Sequence, residues 1–73
     1  MDYNINIALG ETIKRYRINR GYSQDEFAYL CNISRAYYGR IERGEYNITL
    51  KTCLKITTAL GIRLYDLFKD LSD

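Results

Sequence analysis

Three arginines and two small residues fall within one short stretch of this chain, where their types and spacing could recognise a nucleic acid. The stretch is SRAYYGRIERG, residues 34–44, with its arginines at Arg35, Arg40 and Arg43. A guanidinium group can donate two parallel hydrogen bonds to O6 and N7 of guanine. Ala36 and Gly39 would keep a helix thin enough to approach base edges. If the stretch forms a protruding helix, these side chains suit the major groove of double-stranded DNA.

The charge distribution around this stretch points to the same kind of partner. The whole chain has a formal net charge of +2, but residues 13–43 alone carry +4, from seven basic and three acidic side chains. A basic region on a nearly neutral molecule indicates a polyanionic partner.

Residue types that most enzymes need are missing. The chain has no histidine, which is the commonest general base and metal ligand, and it shows no carboxylate pair, glycine-rich phosphate loop or Cys-x-x-Cys motif. Cys31 and Cys53 each lie within an apolar helical pattern, which favours buried thiols over a disulfide or a metal pair. We therefore expect no enzymatic activity and no cofactor.

Length and hydropathy predict one small domain. With 73 residues, no proline and apolar residues throughout, the chain can build a single core over residues 1–73. No apolar run is long enough for a membrane span or a signal peptide. We expect a cytoplasmic protein without a membrane partner.

Two helices are predicted in the first half of the chain. The first would end at Gly21, after apolar residues at helical spacing: Leu9, Ile13 and Tyr16. The second would begin at Ser23, which with Glu26 forms the capping-box pattern S-x-x-E. Its inner face would consist of Phe27, Ala28 and Cys31.

A sharp turn and a third helix should follow. Asn32 tolerates the left-handed backbone conformation better than other non-glycine residues, and Ser34 is a good N-cap. The inner face of the third helix would be supplied by Ile41 with Tyr37 or Tyr38. Two short helices joined by a tight turn, with the second protruding, form a helix-turn-helix, here at about residues 24–43.

Two further helices complete an all-α, compact five-helix domain. Thr49 would cap a fourth helix that ends at Gly61, and its apolar stripe would be Leu50, Cys53, Leu54, Thr57 and Leu60. A short fifth helix would present Leu64, Leu67, Phe68 and Leu71. No segment has the alternating pattern of a strand.

The combined pattern resembles the Cro/C1-type (xenobiotic-response-element, XRE) helix-turn-helix regulators, which have the lambda-repressor-like fold. The resemblance covers about residues 9–70 and rests on Arg17, Ser23, Gln24, Ala28, Ser34, Arg35, Ile41, Glu42, Arg43, Gly44, Asn47, Thr49, Leu50, Leu60 and Gly61. Within the family, the chain is most similar to the controller proteins of restriction–modification systems. Phage and mobile-element repressors remain alternatives.

The resemblance implies roles for individual residues. The base-reading positions would be Arg35, Ala36 and Arg40. The DNA backbone would be contacted by Ser23, Gln24, Tyr37, Arg43, Tyr46, Asn47 and Thr49. Arg17 and Glu42 match a pair that forms an internal salt bridge in similar proteins.

The chain departs from the family pattern at two positions. Asn32 stands where glycine is usual, and Tyr38 stands where a buried Ile or Val is usual. The Tyr38 hydroxyl would need a partner or a path to solvent. Because Tyr38 would affect the tilt of the third helix, it stays open which of Arg35, Arg40 and Arg43 reads bases.

Family members typically act as dimers, since one helix-turn-helix reads only a few base pairs. We expect a homodimer through about residues 50–71, with interface residues Ile62, Leu64, Tyr65, Phe68 and Leu71. The prediction is a transcriptional regulator, whether a repressor or an activator, that binds a pseudo-palindromic DNA operator without a small-molecule effector. Contact with RNA polymerase stays open. The alternative is an antitoxin whose main partner is a protein, which an exposed apolar patch outside the dimer interface would favour.

Overall fold

The computed structural model describes residues 4–71, and within that range the chain forms five helices and no strand. The helices are α1 (Ile5–Asn19), α2 (Gln24–Leu30), α3 (Arg35–Glu42), α4 (Leu50–Leu60) and α5 (Leu64–Phe68). The all-α, five-helix prediction is confirmed. No helix in the described part of the chain has the length and apolar character needed to cross a bilayer.

Side-chain caps begin the helices at the predicted positions. Ser23 and Glu26 form a reciprocal capping box at α2, and Ser34 and Thr49 accept hydrogen bonds from the third backbone N–H of α3 and α4. Helix α1 begins one turn before its apolar stripe, because the side chain of Asn4 accepts hydrogen bonds from two backbone N–H groups. The apolar pattern from Leu9 onward did not predict this cap.

The turn between α2 and α3 has the predicted backbone geometry. Asn32 has φ of 58°, the only positive value at a non-glycine residue among those described. The backbone N–H of Ile33 reaches back to the carbonyl of Ala28 over 3.1 Å. The turn therefore gives a carbonyl near the end of α2 a hydrogen-bond donor while it reverses the chain into α3.

The core lies where α1, α2 and α3 meet α4 and α5. Its fully buried side chains include Ile13, Phe27, Tyr38, Ile56 and Leu67. Cys31 and Cys53 are buried free thiols, as predicted, and burial raises the pKa of Cys31 to about 11.

Two expectations for the last helices were wrong. Leu50 and Leu54 are 69% and 52% exposed, whereas Ile56 is fully buried. Successive residues are turned by about 100° around a helix, so Leu54 lies nearly opposite Ile56, and the apolar stripe is wider than the buried face. The fifth helix ends at Phe68, so that Leu71 lies beyond it.

Candidate nucleic-acid interface

Helix α3 is half embedded and half exposed. On its inner side, Tyr38 and Ile41 are buried against the rest of the core. On its outer side, Arg35, Ala36 and Arg40 are exposed. The structure therefore places the three predicted base-reading residues on one accessible face of one helix.

The orientation of this helix is fixed by a buried ion pair. Arg17 on α1 donates from Nε to Oε2 of Glu42 over 2.6 Å and from Nη2 to Oε1 over 3.2 Å. A third guanidinium bond reaches the backbone carbonyl of Tyr22 over 2.7 Å. The structure thus brings together the two residues that the resemblance paired, and it links α1 to the end of α3.

Two more side chains donate to Glu42, and the sequence did not reveal either bond. The Tyr38 hydroxyl donates to Oε2, and the Gln24 amide donates from Nε2 to Oε1 over 2.8 Å. Tyr38 thereby finds the partner that its burial demanded. Every buried side-chain polar atom in the described residues has a hydrogen-bond partner.

The ionisation of this network follows from its contacts. Burial by itself raises the pKa of Glu42, but the hydrogen bonds from Arg17, Tyr38 and Gln24 outweigh it, and the pKa lies below its ordinary value. The hydrogen bond to Glu42 raises the pKa of Arg17, and burial raises that of Tyr38. Glu42 is therefore a carboxylate and Arg17 a cation at neutral pH.

Gln24, for which a DNA-backbone contact is predicted, makes a structural contact within the protein. It is the first residue of α2, and its half-buried side chain is held by the bond to Glu42. The amide carbonyl oxygen accepts no hydrogen bond from the residues that the structure describes.

Each outward-facing arginine meets a partner within the chain. Arg35 Nε lies 2.9 Å from Oδ1 of Asp25, and Arg43 Nε lies 2.6 Å from Oε2 of Glu45. Arg40 donates from Nη1 to the Tyr46 hydroxyl over 2.8 Å, and its guanidinium carbon lies 5.7 Å from the centre of that ring. These contacts are exposed, so they order the side chains without removing them from solvent.

Gly39, which was expected to keep the outer side of the helix thin, is covered by two of these arginines. A Cβ atom at Gly39 would lie 2.8 Å from Nη1 of Arg35 and 3.2 Å from Nη1 of Arg43. The two nitrogens are therefore at most about 6 Å apart, the sum of those distances. Two guanidinium groups converge over the bare backbone of α3.

The remaining predicted backbone contacts lie at the start of α2, in the first turn of α3, and in the α3–α4 loop up to the start of α4. The Tyr37 ring packs edge-on against Tyr46 with centroids 5.5 Å apart, and its hydroxyl lies 3.4 Å from Oγ1 of Thr52. Asn47 accepts a hydrogen bond from the Asn6 amide over 2.7 Å. Thr49 and Ser23 cap α4 and α2. These side chains fix the loop and the helix starts on either side of the exposed face of α3.

The residues predicted for the dimer interface are divided between core and surface. Ile62, Leu64, Phe68 and Leu71 are half-buried and pack against the core cluster. Tyr65 is 67% exposed. A separate group of exposed apolar side chains lies on α2 and α4: Tyr29, Leu30, Leu50 and Leu54.

The sequence is similar to a helix-turn-helix family and to individual proteins within it. The helix-turn-helix family model matches residues 13–67. The control protein C.MunI of a Mycoplasma species is 38% identical over 69 residues, which cover 93% of each chain. A Neisseria meningitidis hypothetical transcription factor is 33% identical over 66 residues, or 90% of this chain, but the match spans only 62% of that relative's length.

Solved structures agree with the sequence comparison. The restriction–modification controller protein C.AhdI from Aeromonas hydrophila superposes with a TM-score of 0.86 at 36% identity, over 90% of this chain and 100% of that one. A mutant of C.Esp1396I bound to its highest-affinity operator site has a TM-score of 0.82 at 26% identity, over 93% and 90% of the two chains.

Proposed function

This chain belongs to the Cro/C1-type helix-turn-helix family, and we propose that it is a homodimeric transcriptional regulator that binds a pseudo-palindromic DNA operator. Its similarity to C.MunI and C.AhdI supports a regulator of the restriction–modification controller type. We infer that it acts in the cytoplasm, without an enzymatic activity or a small-molecule effector.

One observation carries the proposal: α3 presents a basic outer face while a buried ion pair holds its inner face. Arg35 and Arg40 are exposed on this helix, and Arg43 is exposed at its C-cap. A helix in this position can enter a major groove, where arginine recognises guanine through two parallel hydrogen bonds. The small side chain of Ala36 allows the helix axis to approach the base edges.

Within this proposal, Arg35 is the principal base reader and Arg43 contacts the DNA backbone. Arg35 stands at the first position of α3, which is the end of a recognition helix that enters the groove in this class of motif. Arg40 sits beside Tyr46 and can reach either a base or the sugar–phosphate edge. Backbone contacts from the flanking residues would set the register of the helix on the duplex, without reading sequence.

One recognition helix reads only a few base pairs, which is too little for sequence specificity. Dimerisation through the α4–α5 region would double the length of DNA that is read. Two recognition helices about 34 Å apart reach successive major grooves of a pseudo-palindrome. Tyr65 is the most exposed of the five residues that we assign to this interface. Contact with RNA polymerase is a separate proposal that footprinting of an operator–polymerase complex would test.

The first experiment is to select duplexes from a randomised DNA library with the purified protein. Binding of the selected duplex is then measured at several salt concentrations for the wild type and for Arg35→Ala. We expect a two-fold symmetric motif, and a loss of about 5- to 150-fold in preference for it when Arg35 is removed, as expected for a bidentate base contact. Lys14→Ala is the matched control, because it removes one exposed positive charge from α1.

Two outcomes would contradict the proposal. A steep salt dependence without any selected motif would mean that the basic face only binds phosphates. If the protein bound no DNA even at low salt, the operator-binding proposal would fail, and a protein would become the main candidate partner.

One observation favours the antitoxin alternative, although the comparisons favour the regulator. Two large apolar residues on α2, Tyr29 and Leu30, are exposed outside the proposed dimer region of about residues 50–71. Such a patch could bind a protein. Co-expression with the product of the adjacent gene would test this function, since an antitoxin must restore growth that its toxin arrests.

A further inference from the structure

We propose that Asp25 is a positioning residue that makes Arg35 select a base over a phosphate. The proposal rests on the proposed function, since it concerns how the exposed face of α3 discriminates among DNA sequences. Its structural basis is a single ion pair between the two helices of the motif, with Asp25 on α2 and Arg35 on α3.

The ion pair occupies only one edge of the guanidinium group. Asp25 Oδ1 lies 2.9 Å from Nε of Arg35, and Nη1 lies over Gly39. The N–H groups of Nη1 and Nη2 on the far end remain for an acceptor pair such as O6 and N7 of guanine. Asp25 therefore holds the Nε edge of the arginine by a charge contact and leaves the Nη1 and Nη2 edge for a base.

The second reason is the concentration of positive charge over Gly39. The Nη1 atoms of Arg35 and Arg43 are at most about 6 Å apart there. Two adjacent cations would attract any phosphate in the DNA backbone, whatever the sequence. Each cation is instead paired with its own carboxylate, Asp25 for Arg35 and Glu45 for Arg43.

The carboxylates affect phosphates and bases differently. A phosphate that approaches Arg35 must displace Asp25 or tolerate its negative charge nearby. A guanine edge is uncharged and can bind the free end of the guanidinium group while the ion pair remains. The pair therefore weakens binding to arbitrary DNA more than binding to the operator, which increases the ratio of specific to non-specific affinity.

The test compares Asp25→Ala with the wild type on two duplexes, the selected operator and a scrambled sequence of equal length. Glu11→Ala is the matched control, because it also removes one exposed carboxylate and Glu11 makes no ion pair among the described residues. We expect Asp25→Ala to lower the operator-to-scrambled affinity ratio by about 2- to 5-fold, the effect of one exposed ion pair. The salt slope on the scrambled duplex should steepen by about 0.9, which corresponds to one additional phosphate contact.

Two further measurements separate positioning from charge alone. In an Arg35→Ala background, removal of Asp25 should leave the affinity ratio unchanged. In the free protein, the ¹H–¹⁵N resonance of the Arg35 Nε–H group should shift in Asp25→Ala and not in Glu11→Ala.

The proposal is overturned if Asp25→Ala and Glu11→Ala change both duplexes by the same factor, or if the effect persists without Arg35. Either result leaves a selective wild type and therefore the proposed function intact. A wild type that prefers no duplex would instead contradict the proposed function, and the assignment of Asp25 with it. The resonance of the Arg35 Nε–H group reports the ion pair without DNA, so the two failures are distinguishable.

Discussion

Arg17 on α1 and Glu42 on α3 form an ion pair of 2.6 Å in which the side chains are only 9% and 2% exposed. The pair joins the first helix of the domain to the end of the helix that carries the exposed arginines. Since Gln24 and Tyr38 also donate to Glu42, one carboxylate fixes the relative positions of α1, α2 and α3. The geometry of the outer face is therefore determined from inside the protein.

Loss of one member of this pair should destabilise the fold strongly. We expect Arg17→Met to lower the free energy of unfolding by about 3–5 kcal/mol, because it leaves a buried carboxylate without its counter-charge. The double variant Arg17→Met, Glu42→Gln should lose less than the sum of the single variants. Urea unfolding followed by circular dichroism measures the free energy of unfolding of each variant. A single-variant loss under about 1 kcal/mol would mean that solvent reaches the pair.

The same carboxylate should make the protein sensitive to acid. The pKa of Glu42 lies below its ordinary value of 4.5, so the unfolded chain binds this proton at a higher pH than the folded one. The contribution of Glu42 to stability is complete above about pH 4.5 and is lost as pH falls through the folded pKa. NMR titration of its carboxyl carbon, alongside urea unfolding between pH 7 and pH 3, tests this. A titration midpoint above 4.5 would contradict it.

Alanine at two glycines should have opposite effects on stability. At Gly39, the new Cβ would meet only the flexible ends of Arg35 and Arg43, so helix propensity should raise stability by about 0.5–1 kcal/mol. Operator binding should weaken, because both arginines are displaced.

At Gly10, the Cβ would lie 2.5 Å from the backbone oxygen of Ile41, and α1 must move away from α3. Thermal unfolding and operator titration of both variants measure the contrast; unchanged binding by Gly39→Ala would show that Arg35 does not need the space over Gly39.

A charge on α5 should weaken the proposed dimer. Tyr65→Lys places a cation at an exposed site of the proposed interface, and the dimer dissociation constant should rise at least about tenfold, as for an interface aromatic. Tyr29→Lys is the control, since Tyr29 is 84% exposed and lies on α2. Sedimentation equilibrium measures both constants. Equal effects of the two substitutions would place the interface elsewhere.

The turn of the motif should tolerate glycine better than alanine. Asn32 has φ of 58°, which costs an ordinary residue about 1–2 kcal/mol. We expect Asn32→Ala to lower stability by about 1 kcal/mol and Asn32→Gly to be close to neutral, because glycine fits the conformation but gains freedom in the unfolded chain. Urea midpoints of the two variants give the comparison, and equal losses would show that the Asn32 side chain matters more than its backbone.

The sequence by itself determined the helices, their order and the basic helix of the motif. Ser23, Ser34 and Thr49 cap helices, Asn32 turns the chain and Gly61 ends α4, because each signal depends on residues within one turn of itself. The apolar spacing then placed Arg35 and Arg40 outside the core.

Only the tertiary structure decided the contacts between helices. The choice of Ile56 over Leu54 for the core depends on how α4 is rotated against its neighbours, which its own apolar stripe was too wide to specify. The hydrogen bond from Gln24 to Glu42 and the ion pair between Arg35 and Asp25 join residues of different helices, and their distances depend on the packing angles of α2 and α3. Those angles are set by side chains far apart in the chain, so local sequence signals do not contain them.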